Sequence, residues 1–304
     1  MLIALAFCYL TKGQKQFGGR VVSVQYRPLF LDYYINKRGL KKENNMKSVT
    51  SKDGSIITYD RLGQGKPVIL VSGGSVDKSS NASLAEVLAQ HFTVYNYDRR
   101  GRGESTDTQP YAVDREIEDI EAVADTAGGK AFLYGSSSGA ALALEAARKL
   151  PTKITKLALW EPPYIMDENS RPPADTAKTF TDFVAAGRRG DAAEFFMAKV
   201  VGLPPEFVAA ARSAPWWPAQ EALAHTLAYD ASVMGDYSLP EKKIADIKVP
   251  TIVIDGGASF PFMHETADAI AKNLSNGQRR TLEGQQHNVD GAILGSALTE
   301  FFAQ

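Results

Sequence analysis

From Met46 onward the chain alternates short apolar runs with helix-like segments, and that alternation leaves few folds open to it. The runs are Pro67–Val71, Thr93–Tyr97, 131–134, 157–160 and 251–254, with a weaker one at 279–282. Pro67–Val71 is continuous rather than alternating, as a strand covered on both faces should be. Between and after them, residues 83–91, 113–127, 140–150 and 291–302 carry helical periodicity. Parallel strands need helical crossovers, so the pattern predicts an α/β fold with a doubly wound, mostly parallel sheet. Residues 48–51 and 55–61 flank Lys52-Asp53-Gly54 and predict an opening hairpin, which makes eight strands in all.

About 90 residues separate the strand ending at Trp160 from the one starting at Thr251, far more than a plain crossover needs. Segments 178–186, 191–201, 205–213 and 218–234 each read as a helix, the last two opening on proline. The sequence therefore predicts an inserted helical cap at about 165–240. Phe195, Phe196, Trp216, Trp217 and Met234 within it could wall an apolar pocket or could simply pack the insertion onto the sheet.

The chain balances 34 Lys and Arg against 35 Asp and Glu, which removes the electrostatic case for nucleic acid or an anionic membrane. A small-molecule substrate is the expected partner. One cysteine, Cys8, excludes an intramolecular disulfide, a thiolate zinc cluster and a CxxC redox motif. No apolar run reaches the roughly 18 residues of a membrane span. Met1 to Leu10 imitates a signal peptide, but no basic residue precedes it and Thr-Lys-Gly-Gln-Lys stands where a cleavage site belongs, so a cytoplasmic location is expected. The first 45 residues hold eight of the bases and two of the acids. Lys41-Lys42-Glu43 ahead of Met46 fits a ribosome-binding site, so residues 1–45 are read as an upstream start outside the working protein; the alternative is a genuine basic extension. Residues 46–304 are then the working domain.

The run 131–134 leads directly into Gly135-Ser136-Ser137-Ser138-Gly139 and then into a helix. A GxSxG turn between strand and helix holds its central residue in a strained conformation, and glycines two positions either side leave room for it. Ser137 is the candidate nucleophile. A serine hydroxyl needs a base at neutral pH. Of His91, His225, His264 and His287, only His287 combines a loop after the last strand with a place late in the chain order Ser, acid, His.

These features make the chain resemble the α/β-hydrolase superfamily, from Lys47 to the C-terminus. Asp98-Arg99-Arg100-Gly101-Arg102-Gly103-Glu104-Ser105 resembles the family's loop after its fourth strand, and Glu161-Pro162-Pro163 a frequent ending of its sixth. On that likeness Asp98 and Arg100 are structural. The resemblance implies an oxyanion hole from the amides of Ser138 and Gly74, the latter following Ser72-Gly73 where the family often has His-Gly. It implies an acid as well. Many relatives carry Gly-x-x-Asp after the seventh strand, but Gly256-Gly257-Ala258-Ser259 offers no carboxylate there. Other members place the acid after the sixth strand, where Glu161 stands; Asp255 is the alternative acid and Asp290 a remote third.

The expected activity is that of a serine hydrolase acting on a small, apolar carboxylic ester or thioester through an acyl-enzyme, with no metal or organic cofactor. The same site could serve an acyltransferase or a C–C bond hydrolase. A ligand-sensing protein on this fold, retaining Ser137 and His287 without useful turnover, is the reading from a different class.

Overall fold

In the computed structural model of the chain the described residues are 46–304, with the backbone of a two-residue antiparallel pair, Gln16–Phe17 and Arg20–Val21. The expected N-terminal extension, residues 1–45, otherwise lies outside the described residues. The eight strands are β1 (Met46–Thr50), β2 (Ile56–Leu62), β3 (Pro67–Val71), β4 (Thr93–Tyr97), β5 (Ala131–Ser136), β6 (Ile154–Trp160), β7 (Thr251–Gly256) and β8 (Gly277–Leu282). They form one sheet in the order β8-β7-β6-β5-β3-β4-β2-β1. The hairpin β1–β2 is antiparallel and β2 pairs antiparallel with β4; every other pairing is parallel.

The sheet separates two apolar clusters, and the alternation of side chains along each strand feeds both. Ile69, Leu133, Leu157 and Val253 point to one face, where α2 (Val113–Thr126), α3 (Ser138–Lys149) and α10 (Pro261–Asn273) cover them. Leu70, Phe132, Ala158 and Ile254 point to the other, under α1 (Ala82–Leu88) and α11 (Gly291–Ala303). This is why the central strands β3 and β5 read as apolar stretches. Each buried aliphatic or aromatic side chain contributes about 1.5–3 kcal/mol.

Between β6 and β7 run α4 (Thr176–Ala185), α5 (Arg189–Phe195), α6 (Pro205–Arg212), α7 (Trp217–Leu223), α8 (Leu227–Met234) and α9 (Glu241–Ala245). Two expected helices are interrupted. The segment 191–201 leaves α-geometry at Phe195 and continues as a wide π turn over Phe196–Val200. The segment 218–234 breaks at a 3-10 turn, Ala224–Thr226, where the Thr226 hydroxyl bonds back to the Leu223 carbonyl at 2.8 Å. Such back-bonding competes with the helical ladder and bends it. The bend leaves α8 packed against α3, with Tyr229 and Asp230 on its buried side. Among the described residues no helix is long and apolar enough to cross a membrane.

Candidate active site

Four non-glycine residues have positive φ among the described residues: Ser75, Ser137, Glu161 and Tyr237. Such conformations cost about 1–3 kcal/mol each and gather where function demands them. All four lie at one place. Ser137 and Tyr237 line a cavity of about 580 Å³, Ser75 sits between its lining residues Gly74 and Val76, and Glu161 bonds to its lining residue His287.

Ser137 (φ 56°, ψ −126°) stands between the end of β5 and the start of α3. The turn is as tight as the sequence pattern requires. A Cβ at Gly135 would overlap the carbonyl oxygen of Gly139, and a Cβ at Gly139 would overlap that of Ser72. The Ser137 amide donates to the Trp160 carbonyl at 2.8 Å, tying the turn to the neighbouring strand end. Its hydroxyl makes no hydrogen bond to another side chain or backbone group among the described residues, and Ser137 lines the cavity that His287 also lines.

His287 lies in the loop between β8 and α11. Its Nδ1 is 2.6 Å from Glu161 Oε2, and its carbonyl accepts from Trp160 Nε1 at 2.9 Å. Glu161 is 1% exposed, and its carboxylate is fully engaged. Oε1 accepts from the Gly256 amide at 2.8 Å and Oε2 from the Ser259 hydroxyl at 2.9 Å. Ser259, at the position where many relatives carry aspartate, thus serves as a donor to the carboxylate from the adjacent strand. With Nδ1 held by a carboxylate, the proton belongs on Nδ1 and Nε2 is free to accept.

Asp255 does not reach His287. Successive strand residues face opposite ways, and its buried carboxylate bonds to His264 Nδ1, to Arg279 and to the Thr281 hydroxyl. The remote third, Asp290, is the N-cap of α11, accepting from the amides of Ala292 and Ile293.

Gly74 and Ser138 line the cavity beside Ser137. Of the aromatic and methionine residues singled out in the insertion, Phe196 and Met234 line it, joined by Leu84, Ile165, Phe260 and Phe262. Trp216, Trp217 and Phe195 do not. The tryptophans pack with Met197 and Val208 inside the insertion, and Phe195 packs edge-on against Phe180.

The loop after β4 is built on charge. Asp98 accepts from the Lys78 amide at 2.9 Å and ammonium at 2.6 Å, and Arg100 pairs with Asp119 and Asp53, so both residues are structural. Sequence reasoning missed Arg99, Arg102 and Asp230. Both guanidiniums are buried and both bond to Asp230 of α8; Arg99 also donates to the Ser72 carbonyl and Arg102 to that of Gly73. A signal was present: Asp230 is the one charged residue in α8. Burial raises the Asp230 carboxyl's pKa, but the charges of Arg102 and Arg99 and the bonds from Arg102 and Ser138 outweigh it and leave it below the ordinary range.

The sequence profile of the alpha/beta hydrolase family matches residues 68–296. An alpha/beta hydrolase from Sphaerobacter thermophilus is similar in structure, with TM-score 0.78 and 50% identity over 84% of this chain and 100% of that one. An enol-lactonase from Burkholderia xenovorans shares the fold, with TM-score 0.65 and 18% identity over 85% of this chain and 100% of its own. The uncharacterized hydrolase YraK of Bacillus subtilis is 32% identical over 113 residues, 36% of this chain, and the match spans only 42% of that relative's length. By the extent of the family match, and with this sheet order, the chain belongs to the alpha/beta hydrolase family.

Proposed function

We propose that the protein is a serine hydrolase that cleaves a small, apolar carboxylic ester or thioester, with Ser137 as nucleophile, His287 as base and Glu161 as the orienting acid. The observation that carries this reading is the buried Glu161–His287 pair at 2.6 Å, opening on the same cavity as a serine at φ 56°. A carboxylate with two further donors is a fixed partner, able to set the imidazole tautomer and stabilise its cation.

The chemistry follows from the geometry. Ser137 Oγ attacks the acyl carbonyl as His287 Nε2 takes its proton, and the imidazolium then protonates the leaving alcohol or thiol as its bond to carbon breaks. Water, deprotonated by the same imidazole, releases the acid and restores the serine. The amides of Gly74 and Ser138 receive the oxyanion. The Ser137–His287 hydrogen bond is expected to close when an acyl group fills the cavity, since such bonds commonly tighten only in the substrate complex. The helical insertion acts as a cap, and Phe196, Met234 and Phe262 favour an apolar acyl or alcohol group.

The test is labelling with a fluorophosphonate and hydrolysis of short to medium p-nitrophenyl esters, with Ser137→Ala and His287→Ala as controls. Labelling and turnover that vanish in both variants support the reading. Labelling without turnover shifts the function to acyl transfer or ligand sensing, and a protein that takes no label is not a serine hydrolase.

A further inference from the structure

The two amides assigned to the oxyanion sit on separate elements, the loop after β3 and the first turn of α3, which leave neighbouring strands just past the paired residues Val71 and Gly135. One carboxylate lies against both residues, though on neither amide. Asp230 Oδ1 accepts from the Ser138 hydroxyl at 2.8 Å, and Oδ2 lies 3.1 Å from where a Gly74 Cβ would stand. Asp230 does not belong to the sheet or its covering helices. It comes from α8, in the helical insertion.

The loop is held around that carboxylate by two guanidiniums. Arg102 donates to both Asp230 oxygens at 2.8 and 2.9 Å and to the Gly73 carbonyl at 2.5 Å. Arg99 donates to Asp230 at 2.8 Å and to the Ser72 carbonyl at 3.3 Å, while Glu116 takes its other edge through two bonds of 2.7 Å. A second insertion residue reaches the loop as well: Gln220 of α7 accepts from the hydroxyl of Ser75, whose φ is 57°. Tyr229, next to Asp230, stacks on Tyr111 at 3.9 Å and fixes the rotation of α8 over this cluster.

The charges explain the arrangement. A lone carboxylate this close to the oxyanion would repel the charge that develops there, because Coulomb energies grow as the site excludes water. Two arginines neutralise it, and Glu116 balances the second. What remains is a neutral cluster that ties the insertion to the Ser138 side chain and to the carbonyls of Ser72 and Gly73.

We propose that Asp230 is the positioning residue of the oxyanion hole, so that the hole is assembled by the insertion and is complete only when α8 is seated. This rests on the serine-hydrolase reading. Asp230 touches no reacting atom. It acts through Ser138 and Gly74, and it couples substrate enclosure to catalytic competence: a substrate that lets α8 seat gains the hole, and one that props α8 away loses it.

The experiment uses the full chain and two variants. Ser138→Ala removes the hydroxyl that binds Asp230 and keeps the backbone amide; Asp230→Asn keeps the shape and removes the charge. The readouts are kcat and KM on a p-nitrophenyl ester, the inhibition constant of a trifluoromethyl ketone whose hemiketal anion with Ser137 occupies the hole, and the melting temperature. Misplacement by about 1 Å costs on the order of 100-fold, so kcat should fall about 10- to 100-fold with KM within about twofold of wild type. Ketone affinity should weaken in step with kcat/KM, a correlation that loss of fold would not produce. Where Asp230→Asn melts near room temperature, Ser138→Ala decides alone. If both variants keep wild-type kcat, or lose only KM, Asp230 does not position the hole; with Ser137→Ala inactive in the same assays, the serine-hydrolase reading would still stand. A wild type that neither turns over esters nor takes a fluorophosphonate overturns both.

Discussion

Glu161 and His287 lie 126 residues apart in the chain and meet at 2.6 Å, while Asp255, beside Glu161 on the neighbouring strand end, is bonded to a different histidine. The register explains the division. The Glu161 amide donates to the Ile254 carbonyl at 3.0 Å, so the end of β6 lies against β7 just before Asp255. Asp255 then points away toward α10 and β8, where His264, Arg279 and Thr281 take it.

Removing the charge from Glu161 should therefore be far costlier to activity than removing it from Asp255. In a triad the amide isostere stabilises the wrong tautomer and lowers kcat by up to about 10⁴-fold. Glu161→Gln is expected to lose about 100-fold or more in kcat on p-nitrophenyl butyrate, and Asp255→Asn less than about tenfold. Equal losses would assign the acid wrongly.

The tight turn makes its own prediction. Gly139 has an unexceptional φ, so Gly139→Ala is not penalised by backbone conformation; it is penalised because the new methyl meets the Ser72 carbonyl. Forcing an atom into packed surroundings costs about 1–3 kcal/mol. Because Ser72 precedes the Gly73–Gly74 loop, activity should fall more than stability does. Urea unfolding beside steady-state kinetics would show both, and a variant with wild-type values would mean the turn has slack.

The sheet and the candidate pair were legible because their signals are local. Continuous apolar runs mark strands covered on both faces, a strand–GSSSG–helix junction marks the turn, and the absence of a carboxylate in 256–259 leaves Glu161 as the acid at the neighbouring strand end. The cluster behind the cavity was not legible, because it joins residues over 100 positions apart, such as Arg102 with Asp230, and no local period reports such a pairing. The tryptophan pair was ambiguous for a related reason. Helical spacing shows that a face is buried and leaves open whether a neighbouring helix or a cavity covers it, and Trp217 proved to face its own insertion, its indole donating to Glu221 at 2.8 Å.

The cavity wall predicts selectivity. With Leu84, Ile165 and Met234 lining it, each added acyl methylene should gain up to about 0.8 kcal/mol, or roughly fourfold in kcat/KM, until the far wall is reached. Met234→Ala should move that limit to longer chains. A series of p-nitrophenyl esters from acetate to decanoate would read it, and an optimum unmoved by the substitution would place the acyl group elsewhere.

The buried ion pairs predict how the protein fails in acid. Burial pushes the carboxyls of Asp53, Glu116 and Asp230 up, but their arginine partners and hydrogen bonds outweigh it, so all three sit below the ordinary range, Asp53 at about 2. Such groups bind fewer protons folded than unfolded, so their stabilisation is fully present above the unfolded values of roughly 4 and is lost as pH falls through the folded ones. Asp119 opposes them: burial outweighs the bonds and charge of Arg100, its pKa is raised, and its ionisation as pH rises through the carboxylate range works against the fold. Glu145, Asp167, Asp191 and Asp236 are lowered as well, and His225, whose pKa burial lowers, costs stability as pH falls through the unfolded imidazole value of about 6.5, so the urea midpoint should decline gently below about pH 6.5 and drop steeply below about 4. Asp230→Asn, having lost one contributor, should be less stable at neutral pH yet show a shallower acid limb. An acid limb as steep as that of wild type would mean that Asp230 carries no linked proton and that its pairing with Arg99 and Arg102 is weaker than the buried geometry implies.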